Sequence, residues 1–184
     1  MADELYESVG KLGISHFSYK GYQSAKQVTD SAIEWLNENA DTDFFLWIHY
    51  MEGHRPYGVH DDDPVYTESI SNENIRDLMK TAGTEPDSLT IESHTKLINL
   101  YDSDLRYCSQ HFDRFIDALH DRDLWEETNI LFTSDHGEEF YDHSMYYHRN
   151  LPYDELLHVP LIVRSTENNS GEIAEQRQLL DLAP

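Results

Sequence analysis

A chain of 184 residues is long enough to bury one real hydrophobic core. Its formal charge of −23, from 36 acidic against 13 basic residues, leaves no basic footprint for a phosphate backbone and argues against nucleic-acid binding. A single cysteine, Cys108, excludes an internal disulfide framework, and no apolar run reaches the length of a membrane span.

The acids are spread along the chain rather than gathered in a tail. Self-repulsion on this scale opposes a compact state in dilute buffer and is screened in concentrated salt. The simplest account is a protein of salt-loving, haloarchaeal origin with a solvated acidic surface; an acidic protein that binds cations or a basic partner is the rival. The N-terminus lacks a signal peptide's hydrophobic segment. The expected compartment is therefore the cytoplasm, with export left open because what precedes Met1 is unknown.

In chain order, the first two dozen residues are mixed, with Gly10, Gly13 and Gly21 interrupting any regular pattern. A helix is expected over 24–39, where Ala25, Val28, Ala32, Ile33, Trp35 and Leu36 supply an apolar face. Residues 44–50, rich in aromatic and β-branched side chains, read as a buried strand, which makes His49 a core histidine. His60-Asp61-Asp62-Asp63-Pro64 marks a polar loop, and its acids read as a solvated run rather than a calcium site. A short helix over 75–82 ends at Gly83-Thr84-Glu85-Pro86.

The strongest periodicity follows. Ile91, Leu97, Ile98, Tyr101, Leu105, Cys108, Phe112, Phe115, Ile116 and Leu119 recur at three- and four-residue steps, as on one long amphipathic helix packed on a sheet. Strands near 129–134 and 159–164 flank a short helix started by Pro152. This order predicts an α/β fold with a mostly parallel central sheet flanked by helices. There is no internal repeat, and Asn168-Asn169-Ser170-Gly171 reads as a loop rather than a domain boundary.

Thr133-Ser134-Asp135-His136-Gly137-Glu138-Glu139 follows the apolar run Asn129-Ile130-Leu131-Phe132. An acid and an imidazole thus arrive together at a strand's C-terminal end, the edge of an open α/β sheet where ligands collect. A carboxylate oxygen and a neutral imidazole nitrogen are two ready ligands for a divalent cation. Gly137 is expected to let the backbone turn sharply there. The plainer alternative is a strand that ends in a polar turn. His54 also falls just past a strand end, and if the strands are parallel neighbours it faces the same crevice as Asp135 and His136.

The surrounding sequence decides between these. Glu138-Glu139-Phe140-Tyr141-Asp142-His143 leads through His148-Arg149-Asn150 to Pro152-Tyr153-Asp154-Glu155 and Val159-Pro160-Leu161-Ile162-Val163. Upstream, Phe44-Phe45-Leu46-Trp47-Ile48-His49-Tyr50 precedes Met51-Glu52-Gly53-His54-Arg55-Pro56-Tyr57, and Leu179-Leu180-Asp181-Leu182-Ala183-Pro184 closes the chain. In this order the blocks resemble the C-terminal half of the sulfatase family, within the alkaline phosphatase superfamily, over most of residues 40–184. Gly53 stands where the family usually has Pro.

The resemblance implies an alkaline-phosphatase-like fold, incomplete here, and a metal-dependent site. Asp135 and His136 match the family's ligands to one divalent metal, Ca²⁺ by family likeness, with Mn²⁺, Mg²⁺ or Zn²⁺ also compatible with an Asp-His pair. His54 matches the histidine that contacts the sulfate or phosphate group near the leaving oxygen, where it would donate a charge-assisted hydrogen bond or act as general acid. His148 and Arg149 occupy the region of a third anion-contacting group; His148 is slightly favoured, while Arg149 would offer two donors. Glu138 and Glu139 are expected to orient His136. Asp102 and Asp104 read as structural, His94, His111 and His120 as occupants of a polar helix face, and His158 as a surface residue.

The family nucleophile, a Cys or Ser followed two residues on by Pro or Ala and then by Ser/Thr and Arg, is missing, as are the early paired Asp ligands. Cys108-Ser109-Gln110-His111 lies on a helix and does not fit. Residues 1–184 therefore read as part of a single sulfatase-like catalytic domain without its N-terminal nucleophile segment, inactive alone. The intact protein is expected to hydrolyse a small-molecule or carbohydrate sulfate ester with a formylglycine nucleophile from outside this chain. Phosphoryl or phosphonate ester hydrolysis on the same fold, and a non-catalytic remnant, are the alternatives. Oligomeric state has no sequence signal.

Overall fold

In the computed structural model, which describes residues 22–59, 64–68, 70–149, 151–167 and 170–182, the first helix, α1 (Ala25–Asn39), begins at a reciprocal cap. The Ser24 side chain accepts from the Gln27 N–H, and the Gln27 side chain accepts from the Ser24 N–H, so two otherwise unpaired donors are satisfied together. Ala25, Thr29, Ala32 and Leu36 form its buried stripe. The expectations for Gly10, Gly13 and Gly21, for His60 to Asp63, for Asn168-Asn169 and for Ala183-Pro184 fall outside the described residues.

Helix α2 (Asn72–Thr84) is longer at both ends than its apolar pattern suggests. Ser71 caps it by accepting from the Asn74 N–H, so the helix starts a turn before Ile75. Helix α3 (Ile91–His120) has 30 residues, about 45 Å at the usual rise, and is capped by Thr90. It spans both cores. Its first half puts Leu97 and Leu100 into a cluster with Tyr57, Ile75, Met79, Ala82, Tyr146 and Tyr147; its second half packs Phe115 and Leu119 on Ala32 and Leu36 of α1. Ile91 and Leu105, counted in the apolar stripe from sequence, are exposed.

Strands β1 (Ile130–Thr133) and β2 (Leu161–Arg164) lie close to their expected positions, but they pair antiparallel, Ile130 opposite Arg164 and Thr133 opposite Leu161. Among the described residues this two-stranded sheet is the only one, so the expected mostly parallel sheet is not formed by them. A parallel return requires a crossover, usually a helix. The connection here carries only helix α4 (Asp154–Leu157), of four residues, and doubles back over the end of β1.

Residues 44–50 form no strand. Their alternation is nonetheless that of one: Phe44, Leu46 and Ile48 pack on the α1–α3 core, whereas Phe45 and Trp47 are 73% and 76% exposed. A strand needs a ladder partner for its backbone, and the described residues supply none. His49 lies on the outward side and is exposed, which corrects the expectation of a core histidine. Beyond it, buried Glu52 accepts the N–H groups of Ala25 and Met51 and fastens the loop that carries His54 to the start of α1. No helix among the described residues is long and apolar enough to cross a membrane.

Candidate active site

The loop after β1 is shaped by short-range hydrogen bonds. Ser134 Oγ donates to the His136 carbonyl at 2.6 Å, and Asp135 Oδ1 accepts the His136 N–H at 3.0 Å. His136 Nδ1 lies 2.8 Å from the Gly137 carbonyl oxygen, a contact that requires a proton on Nδ1 and leaves Nε2 as the ring nitrogen open to a ligand. That Nε2 is 3.9 Å from Asp135 Oδ2, and the Asp135 side chain is 78% exposed. Two ligands bonded at about 2.0–2.5 Å to one cation can span up to about 4–5 Å, so the pair fits a shared divalent metal. Among the described residues no three His, Cys, Asp or Glu side chains gather into a metal-binding group.

Gly137 serves close approach rather than a left-handed turn. Its N–H donates to the Leu156 carbonyl at 2.9 Å, and a Cβ there would lie 2.0 Å from the Glu155 carbonyl oxygen. The loop of Asp135 and His136 is thereby pinned to α4.

His54 and His148 join His136 although their segments are not neighbouring parallel strands. The His136 and His148 ring centres are 4.3 Å apart, and those of His54 and His148 are 5.8 Å apart. Each ring turns Nδ1 toward the protein: His54 Nδ1 donates to the Arg55 carbonyl at 2.6 Å, and His148 Nδ1 lies 3.2 Å from Glu138 Oε1. Among the described residues none of the three Nε2 atoms takes part in a hydrogen bond. Arg149, the alternative to His148, donates instead to the Gly83 carbonyl at the end of α2, at 2.9 Å.

The two glutamates divide differently from expectation. Glu138, with its side chain 4% exposed, holds His148 through Oε1 and accepts the Tyr57 hydroxyl on Oε2 at 2.6 Å, so neither oxygen is used to orient His136. Burial, and then the Glu138 charge, push the Tyr57 phenol far above its ordinary pKa, so it is a permanent donor. Glu139, also buried, accepts the N–H and Nδ1 of His143, whose ring stacks on Tyr153 at 3.6 Å. Tyr57 was not singled out from sequence; its signal was its place three residues after His54.

The remaining candidates have structural roles. Asp104 is buried and accepts the Gly58 N–H at 2.7 Å. His94 bonds the Tyr146 hydroxyl, His111 bonds Arg114, and His120 stacks on Trp125. Burial, followed by the charges of Glu52 and Asp104, pushes the Cys108 thiol up to about 12, the opposite of an activated nucleophile.

A fold built on a long helix, with an Asp-His pair at the end of a strand and histidines converging on it, has relatives among ester hydrolases. The sulfatase family profile matches residues 3–184, and the chain belongs to the sulfatase family. It is 28% identical over 164 residues to arylsulfatase K of Mus musculus, covering 74% of this chain and 29% of that protein. It is 26% identical over 194 residues to the uncharacterized sulfatase YidJ of Escherichia coli (strain K12), covering 96% of this chain and 38% of that protein. A solved structure, the phosphonate monoester hydrolase SpPMH from Silicibacter pomeroyi, superposes with a TM-score of 0.53 at 17% identity, covering 89% of this chain and 41% of that one. That likeness shows an alkaline-phosphatase-like fold. The chain spans about a third of the length of the curated relatives it matches.

Proposed function

We propose that the full-length protein hydrolyses sulfate monoesters of small molecules or carbohydrates, and that this chain is the C-terminal portion of a single catalytic domain. The observation that carries this is the convergence of His54, His136 and His148, each with Nε2 outward, beside Asp135. Asp135 and His136 would hold one divalent cation, Ca²⁺ by family likeness or Mn²⁺, Mg²⁺ or Zn²⁺, which draws charge from the ester's oxygens when bound. As imidazoliums, with Nδ1–H still on the Arg55 carbonyl and on Glu138, His54 would donate through Nε2 to the leaving oxygen or the transferring group, and His148 would donate to that group from the other side. Arg149 stays the alternative to His148 and is given the lesser part, since one of its guanidinium N–H groups is taken by the Gly83 carbonyl. The nucleophile, a formylglycine by family likeness, would come from outside residues 1–184.

Phosphonate or phosphoryl ester hydrolysis is the second reading, supported by the fold shared with a phosphonate monoester hydrolase. Both are tested by assaying the full-length protein on an aryl sulfate and an aryl phosphonate monoester, with each divalent cation in turn. Faster turnover of the sulfate supports the first reading, and of the phosphonate the second. Turnover of neither leaves a non-catalytic member of the family.

A further inference from the structure

Glu138 is a buried carboxylate with both oxygens engaged by side chains from different parts of the chain. Its Oε1 faces His148 Nδ1 at 3.2 Å, and its Oε2 accepts from Tyr57 at 2.6 Å, a residue 81 positions away in sequence. Burying a carboxylate is unfavourable unless its oxygens are paired. Here the pairing joins the loop of His54 to the loop of His136, the two loops that carry the candidate active-site groups.

The far end of this chain of contacts is rigid. Tyr57 is fully buried, and its ring is set edge-on to Tyr101 at 5.3 Å and tilted against Phe140 at 6.0 Å. The near end is fixed through the backbone. Tyr147, at φ 73°, occupies a conformation that bulky residues rarely adopt. It is held there by its N–H on the Glu139 carbonyl and by its buried hydroxyl on the Met79 carbonyl, at 2.8 and 2.6 Å. The next residue, His148, is thus delivered to the cluster with two freedoms left, rotation and tautomer of its ring, and Glu138 is the group in contact with the nitrogen that decides both.

We propose that Glu138, clamped by Tyr57, is a positioning residue that fixes the ring plane and tautomer of His148, so that His148 presents Nε2 beside His136. The inference rests on the reading of His148 as an anion-contacting group. It follows the general logic by which a third group orients a catalytic imidazole. With Nδ1–H committed to the carboxylate, Nε2 is the nitrogen that meets substrate, donating to an anion once the ring is doubly protonated, and a ring free to flip would offer it only part of the time.

The test is ¹⁵N NMR of histidine-labelled full-length protein at alkaline pH, with the His148 signals assigned through His148→Gln. The wild type should show a single fixed tautomer protonated on Nδ1. In Glu138→Ala the His148 signals should move to averaged values for the two tautomers, with those of His54 and His136 unchanged. Tyr57→Phe, which keeps the ring and its packing, should shift His148 the same way by a smaller amount; it carries the test alone if Glu138→Ala does not fold. Turnover of the preferred ester by Glu138→Ala should fall about 10²-fold in kcat, the scale of a misplaced catalytic group. His148 signals identical to wild type in a folded Glu138→Ala, or in Tyr57→Phe when that variant stands alone, overturn the proposal. The spectrum is read without substrate, so an inactive wild type would sink the hydrolase reading while the relay still stands or falls on the spectrum.

Discussion

Gly137 and Glu155 approach so closely that a Cβ on Gly137 would sit 2.0 Å from the Glu155 carbonyl oxygen. The contact is with backbone, which cannot swing away as a side chain can. Gly137→Ala must therefore push α4 off the loop of Asp135 and His136. Overpacking of this kind costs about 1–3 kcal/mol. Thermal unfolding should report a midpoint lowered by several degrees, about 2–4 °C per kcal/mol for a domain this size. An unchanged midpoint would mean that the loop is not pinned there.

His148 and Arg149 are adjacent in sequence but contact different groups, Glu138 and the Gly83 carbonyl. His148→Gln should lower kcat/KM of the full-length protein by about 10²-fold, within the range for loss of one acid–base or anion-contacting group. Arg149→Ala should leave kcat/KM within about twofold and cost about 0.5–1.5 kcal/mol of stability through the lost bond to Gly83. Equal losses in both variants would return Arg149 to the site.

Stability should fall as pH rises above about 9. The Cys108 thiol is raised from 9.0 to about 12 in the folded state, so between these values the folded chain keeps a proton that the unfolded chain has released. Its contribution is complete below the unfolded pKa and is lost as pH passes through the folded one. Tyr57, also raised by burial, acts in the same direction above its own unfolded value of 10.0. Urea unfolding from pH 8 to 11 should show the decline, and Cys108→Ala should make it shallower. A slope identical in Cys108→Ala would contradict the raised pKa of the thiol.

The charge of −23 predicts a strong response to salt. Screening of self-repulsion should raise the thermal midpoint steadily from low to molar KCl. A midpoint insensitive to salt would remove the basis for a salt-adapted surface.

The helices were legible in sequence because their apolar positions recur with helical period; the caps at Ser24, Ser71 and Thr90 set where α1, α2 and α3 begin, which periodicity alone placed a turn late for α2. Residues 44–50 show the limit of the same reasoning. Their alternation specifies which side chains face the helices, but a strand exists only where a second backbone lies alongside, and alternation says nothing of that partner. At the site, Asp135, His136, His54 and His148 were nameable because their types and order resemble a family pattern. The attachment of Glu138 to His148 rather than His136 was not, since it depends on where a loop ten residues further on returns. Gly137 was marked as important for a backbone turn, whereas its need is space beside α4, a tertiary fact.

The central claim is that Asp135 and His136 anchor the metal half of a sulfatase-family active site. The most direct measurement is turnover of an aryl sulfate by full-length wild type and Asp135→Ala, with divalent cation affinity measured by calorimetry on the same samples. The account predicts that Asp135→Ala stays folded, loses cation affinity and loses turnover together. Wild-type affinity and turnover in Asp135→Ala would contradict it.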